Sequence, residues 1–189
     1  MRARLVLFWI VLVIVAHASC SDRGPVSPSL TPTAAPDAVA VSTVRTPVRL
    51  AGELTGVTYA EAVPSCPGPS RAQISEVTGN LSHLGLSSLT SRHCYVSFNE
   101  STGAWHFVGT ATFVAANGDE LHATYSGDMT GLVPPPAPGS VISGTGTMTI
   151  TGGTGRFDDA SGEGTETIVV TIGAPPMPIQ ATVTVSIVY

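Results

Sequence analysis

Beyond Pro47, apolar and polar residues alternate with a period of two, and no long stretch repeats every three or four positions. Thr, Val and Ile dominate the alternating runs, and turn signals return about every 10 residues, which predicts an all-β sandwich or barrel. The predicted strands are 48–58, 73–82, 84–97, 104–115, 119–130, 141–151, 162–172 and 179–188. Turn chemistry separates them at Asn99–Gly103, Asn117-Gly118, Pro134–Gly139, Gly152–Gly155 and Pro175–Pro178.

One hairpin can be set in register by argument. A two-residue Asn117-Gly118 turn would place Phe113 opposite His122 and mix the two faces. A three-residue Ala116-Asn117-Gly118 loop, with Gly118 left-handed, instead pairs 115 with 119. Phe113 then faces Leu121, Ala111 faces Ala123, Tyr125 covers Gly109, Phe107 covers Gly127, and Trp105 meets Met129. A slip of one residue would turn a whole apolar set toward water, so the longer loop is expected. The same phase continues through Ile142, Gly144, Gly146, Met148 and Ile150, and through Ile179 to Ile187. One face is thus apolar and glycine-rich, and no helix covers it. The expected solution is an eight-stranded antiparallel barrel, with a sandwich as the alternative.

The N-terminal third reads differently. Arg2 and Arg4 precede an apolar run from Leu5 to Ala16, the pattern of a signal peptide over 1–19. That run falls short of the roughly 20 residues needed to span a bilayer. Cleavage after Ala18 would release a secreted protein, whereas Ala18-Ser19-Cys20 resembles the end of a lipobox, in which Cys20 carries lipid. The aliphatic residue usual at the lipobox start is replaced here by His17. Residues 20–47 form a Pro/Ser/Thr-rich linker able to extend about 80 Å in polyproline geometry, leaving 48–189 as the barrel domain. Three cysteines in an exported chain imply one pair and one remainder. Pairing Cys66 with Cys94 leaves Cys20 where a lipid would go.

Composition narrows the partners. The chain has 189 residues, 11% charged and with no lysine, and its formal net charge is −5. Scattered arginines cannot displace counterions from phosphates, so nucleic acid is excluded, and membrane contact is expected only through a lipid anchor. No nucleophile elbow, Walker lysine or zinc-spaced cluster occurs; no catalytic residue, cofactor or metal is assigned. The oligomeric state is left open.

The stretch from Gly144 through Gly152-Gly153-Thr154-Gly155-Arg156-Phe157 to Gly162 resembles the signature of the allene oxide cyclase and dirigent barrels. His83-Leu84-Gly85 and Phe113–Asp119 are similar to a bacterial, uncharacterised branch of that superfamily. The resemblance covers roughly 74–172 and implies an eight-stranded antiparallel barrel with an apolar lumen. The catalytic residues of the plant cyclases match no position here. In this reading Gly153 and Gly155 permit a tight turn, Phe157 plugs a barrel end, and Ala160 and Gly162 allow close packing.

The candidate lumen residues are Glu166, His83, Tyr125, Trp105, Phe107, Phe113 and Met129. Glu166 shares parity with Gly164, Ile168 and Val170. A carboxyl in an apolar lumen would have a raised pKa and suit acid–base work. The alternative is that it reaches the rim or is turned outward by a bulge. His83 shares parity with Val77 and Leu81, as a buried structural histidine or a catalytic one. On the outer face the register places His106 opposite Asp128, an ion pair at acidic pH. Asp158 and Asp159 are read as solvent-facing. Three functions compete: a barrel that binds a small apolar ligand or serves as a surface module, a cyclase-type enzyme, and an integral outer-membrane barrel.

Overall fold

The structure is a computed structural model that describes residues 45–61, 66 and 72–189. Eight strands follow one another: β1 (Val48–Glu61), β2 (Ala72–Leu81), β3 (Gly85–Asn99), β4 (Ala104–Val114), β5 (Glu120–Thr130), β6 (Val141–Gly153), β7 (Ser161–Thr171) and β8 (Met177–Val188). Each pairs antiparallel with its neighbours in sequence, and β1 closes on β8, so the sheet is a closed barrel. The sandwich alternative is thereby set aside. Closure leaves no unpaired edge and gives the apolar face one place to go, the interior.

The β4–β5 register matches the sequence argument at every rung: Trp105 pairs with Met129, Phe107 with Gly127, Gly109 with Tyr125, Ala111 with Ala123, and Phe113 with Leu121. Gly118 is left-handed, with φ 88°, and the Ala115 amide donates to the Asp119 carbonyl across the loop. Large side chains do lie over small ones. The Phe107 ring tip sits 2.7 Å from where a Cβ on Gly127 would be.

The two barrel ends differ. At one end the β2–β3, β4–β5 and β6–β7 connections converge, and a 3-10 turn, Gly155–Phe157, drives Phe157 into the opening. Phe157 is 1% exposed, and its ring meets Tyr189 at 5.0 Å beneath the Arg156 guanidinium. Leu84, Ala115 and Ala160 complete the plug. At the other end the β5–β6 and β7–β8 loops leave Leu132, Ile172 and Met177 only half-buried around a mouth.

Outside the barrel wall a second, smaller apolar cluster joins Cys66, Ala72 and Ile74, with Tyr59 and Cys94 packed on it. Cys66 and Cys94 form the expected disulfide. The bond holds Cys66, between β1 and β2, against the outer face of β3 and points to an oxidising compartment. The signal peptide, the Cys20 lipidation site and most of the linker lie outside the described residues. Among the described residues no helix is long and apolar enough to cross a membrane.

Candidate functional site

A cavity of about 100 Å³ lies inside the open end of the barrel. Its apolar side is Met129, Ile142, Ile168, Val170 and Ile179, drawn from β5 to β8. Its polar side is Thr58, Gln73, Ser75, His93 and Tyr95, from β1 to β3. Three of these groups are bonded to one another. The Thr58 hydroxyl donates to the Ile74 carbonyl at 2.8 Å and accepts from Gln73 Nε2 at 2.9 Å and Ser75 Oγ at 3.0 Å.

His93 is the group that sequence reasoning missed. It is 4% exposed and pairs across the ladder with Gly109, which in turn pairs with Tyr125. A Cβ on Gly109 would collide with the Arg92 carbonyl and with His93 Cβ itself, so glycine leaves room for the two rings to meet above it. His93 Nδ1 and the Tyr125 hydroxyl lie 2.9 Å apart, and Ser91 also hydrogen-bonds the phenol. Phe107 and Tyr95 pack around the imidazole at 5.0 and 5.2 Å. Burial lowers the His93 pKa to about 4, so the ring is neutral at physiological pH. Burial likewise raises Tyr125 far above the ordinary phenol value. The remaining imidazole nitrogen, Nε2, is buried without a hydrogen-bond partner.

Glu166 points inward, as its parity with Ile168 and Val170 suggested, and is 6% exposed. The bulge or rim position offered as an alternative is not adopted. Its carboxyl folds over Gly146, and Oε1 has no hydrogen-bond partner. Desolvation raises its pKa to about 7. The side chain sits one inward position deeper along β7 than Ile168 and is not part of the cavity wall.

The other candidates separate. Met129 lines the cavity; Phe107 and Tyr125 lie behind His93. Phe113 is buried toward the plugged end, and Trp105 is half-buried against Phe98 and Tyr95 near the mouth. His83 requires correction. β2 ends at Leu81, the chain reverses through residues 82–84, and His83 takes a left-handed conformation (φ 64°) with its side chain exposed. Parity has no meaning beyond the end of a strand, and Leu84 fills the core in its place. On the outer face His106 Nδ1 and Asp128 Oδ1 are 3.0 Å apart, while His122 pairs with Glu120. Asp159 is exposed and bridged by Arg45 at 2.7 Å, which holds its carboxyl below the ordinary value.

The glycine-rich stretch is a latch for the plug. Gly155 has φ 57°, and a Cβ there would strike the Asp119 carboxylate. That carboxylate accepts from the Arg156 amide at 3.4 Å and lies 3.8 Å from its guanidinium, which also donates to the His83 carbonyl at 2.9 Å. Thr154 Oγ1 accepts from the Glu120 amide. Thus the β6–β7 connection is tied to both neighbouring turns.

Comparison with known families, with curated proteins and with solved structures finds no match for this chain. The functional reading therefore rests on the cavity itself.

Proposed function

We propose that this protein is a non-enzymatic barrel that takes up a small, largely apolar molecule through its open end. The observation that carries this reading is the pairing of a plugged end with an open one, where Met129, Ile142, Ile168 and Val170 line unfilled space. Burying apolar ligand surface there is favourable by about 25 cal/mol per Å². The volume is modest beside the ~150 Å³ of an engineered apolar cavity that admits benzene or xenon. The ligand is therefore compact, or enters by one end only.

Xenon tests this directly. Under xenon pressure, the Met129, Ile142 and Ile168 methyl resonances of the purified protein should shift and saturate, and Met129→Trp should abolish the effect by filling the space. Absence of any saturable shift in the wild type would sink the reading.

A cyclase-type reaction is less well supported, because Glu166, the one buried carboxyl among the described residues, stands behind the cavity wall. An integral membrane barrel is opposed by the distribution of side chains. Such barrels carry an apolar band outside, whereas the outward positions here include Glu53, Glu76, Thr110, Thr124, Asp128, Thr145 and Thr165. We further propose kinship with the allene oxide cyclase and dirigent barrels, supported by the plug latch at Gly152–Gly162. We propose export as well, with Cys20 lipidated and the linker holding the barrel off a membrane surface. The Cys66–Cys94 disulfide supports export, and mass spectrometry of the mature N-terminus would reveal the lipid or an unmodified residue.

A further inference from the structure

His93 lines the cavity, its Nε2 is a fully buried atom with no hydrogen-bond partner, and the chemistry of its neighbours decides what that atom does. Of the two partners at 2.9 Å, the phenol is the stronger acid and the imidazole the stronger base. The Tyr125 hydroxyl therefore donates to Nδ1, while its oxygen is free to accept from the Ser91 hydroxyl. In a neutral imidazole the proton then resides on the other nitrogen. Nε2 is thus an N–H donor. Thr58, Gln73 and Ser75, polar groups of the same wall, are already bonded to one another, and the Tyr95 phenol completes the polar side.

We infer that the barrel selects small apolar molecules bearing a carbonyl-type hydrogen-bond acceptor, which His93 Nε2–H engages while the hydrocarbon part rests on Met129, Ile142 and Ile168. This rests on the cavity reading above and specifies the ligand class. A buried donor left unpaired is penalised, and a ligand that pairs it relieves that penalty where a pure hydrocarbon does not. The Tyr125–His93 dyad acts here as a positioning device: it fixes the tautomer and the ring plane, with Phe107 and Tyr95 packed against the imidazole. Glu166 faces Tyr125 electrostatically from β7 and carries no part of the contact.

Two probes of matched shape separate the possibilities: cyclopentanone, and methylenecyclopentane, in which a methylene replaces the carbonyl oxygen. Binding to the purified protein is followed by NMR at the cavity methyl groups and at the imidazole nitrogens of His93. In the free protein, the nitrogen spectrum should show the Nε2–H tautomer. Cyclopentanone should move both the methyl signals and His93 Nε2, and bind about 10- to 100-fold more tightly than methylenecyclopentane. The His93→Leu variant should erase that preference; because the wild-type comparison stands alone, the test survives a variant that fails to fold. Equal affinity for both probes with His93 Nε2 unmoved, or an Nδ1–H tautomer, would overturn the assignment while leaving the cavity reading intact. If neither probe moves the methyl signals, the cavity reading falls, and this inference with it.

Discussion

Burial acts in opposite directions on His93 and Glu166, which share the barrel interior. His93 is depressed from 6.5 to about 4, so between these values the unfolded chain binds a proton that the folded one refuses. Its contribution lowers stability as pH falls from about 6.5 to 4, by about 3 kcal/mol at the end of that range. Glu166 is raised from 4.5 to about 7, so there the folded chain keeps a proton that the unfolded one releases. Its contribution lowers stability as pH rises from 4.5 to about 7, by a similar amount. Across the shared window the two slopes cancel. Substituting Glu166→Gln should stabilise the protein by up to about 3 kcal/mol at pH 8 and hardly at all at pH 4. The difference between the urea-unfolding free energies of variant and wild type, measured from pH 4 to 8, isolates this one group. A pH-independent difference would show that Glu166 is ionised inside the fold or reaches water.

At the scale of elements, the plug depends on a backbone shape as much as on an aromatic ring. Gly155→Ala places a side chain in a left-handed position and against Asp119, which should destabilise by about 2 kcal/mol or more. Phe157→Ala removes a fully buried ring and should destabilise by about 3–5 kcal/mol. Both losses are measurable by chemical denaturation. Because the latch joins the β6–β7 connection to the β2–β3 and β4–β5 turns, amide exchange should quicken at Leu84 and Ala116 as well as near residue 157. Quickening confined to 154–160 would mean that the three turns are not coupled.

Across the whole molecule, the disulfide is the covalent constraint on a barrel held otherwise by packing and strand pairing. Its sequence separation of 28 residues corresponds, in the loop-entropy account, to about 3–4 kcal/mol. Thermal unfolding with and without reductant should show a fall in midpoint of several degrees or more. The fall should be absent from the double variant Cys66→Ser with Cys94→Ser, which begins at the lower value. The barrel itself should persist after reduction, because Cys66 and Cys94 belong to the outer cluster and not to the interior.

How far this molecule was legible in its residues follows from what period-two patterning can carry. Alternation and turn chemistry located all eight strands, and the demand that apolar sets share a face set the β4–β5 register without reference to any other strand. β3 resisted the same treatment. Its inward residues are Ser87, Leu89, Ser91, His93 and Tyr95, a mixture in which no apolar phase stands out. A bulge near Val96 then shifts the phase before the strand ends. His93 was recoverable only by carrying the register across from Gly109 and Tyr125, and His83, two residues past the end of β2, attracted the attention instead. Local patterning thus determined the strands, the turns and which face was apolar, because each depends on neighbours within a few residues. Which end of the barrel is stoppered, which polar atoms meet inside it and which nitrogen is left without a partner were settled only when distant strands closed into a ring. Those contacts join residues dozens of positions apart.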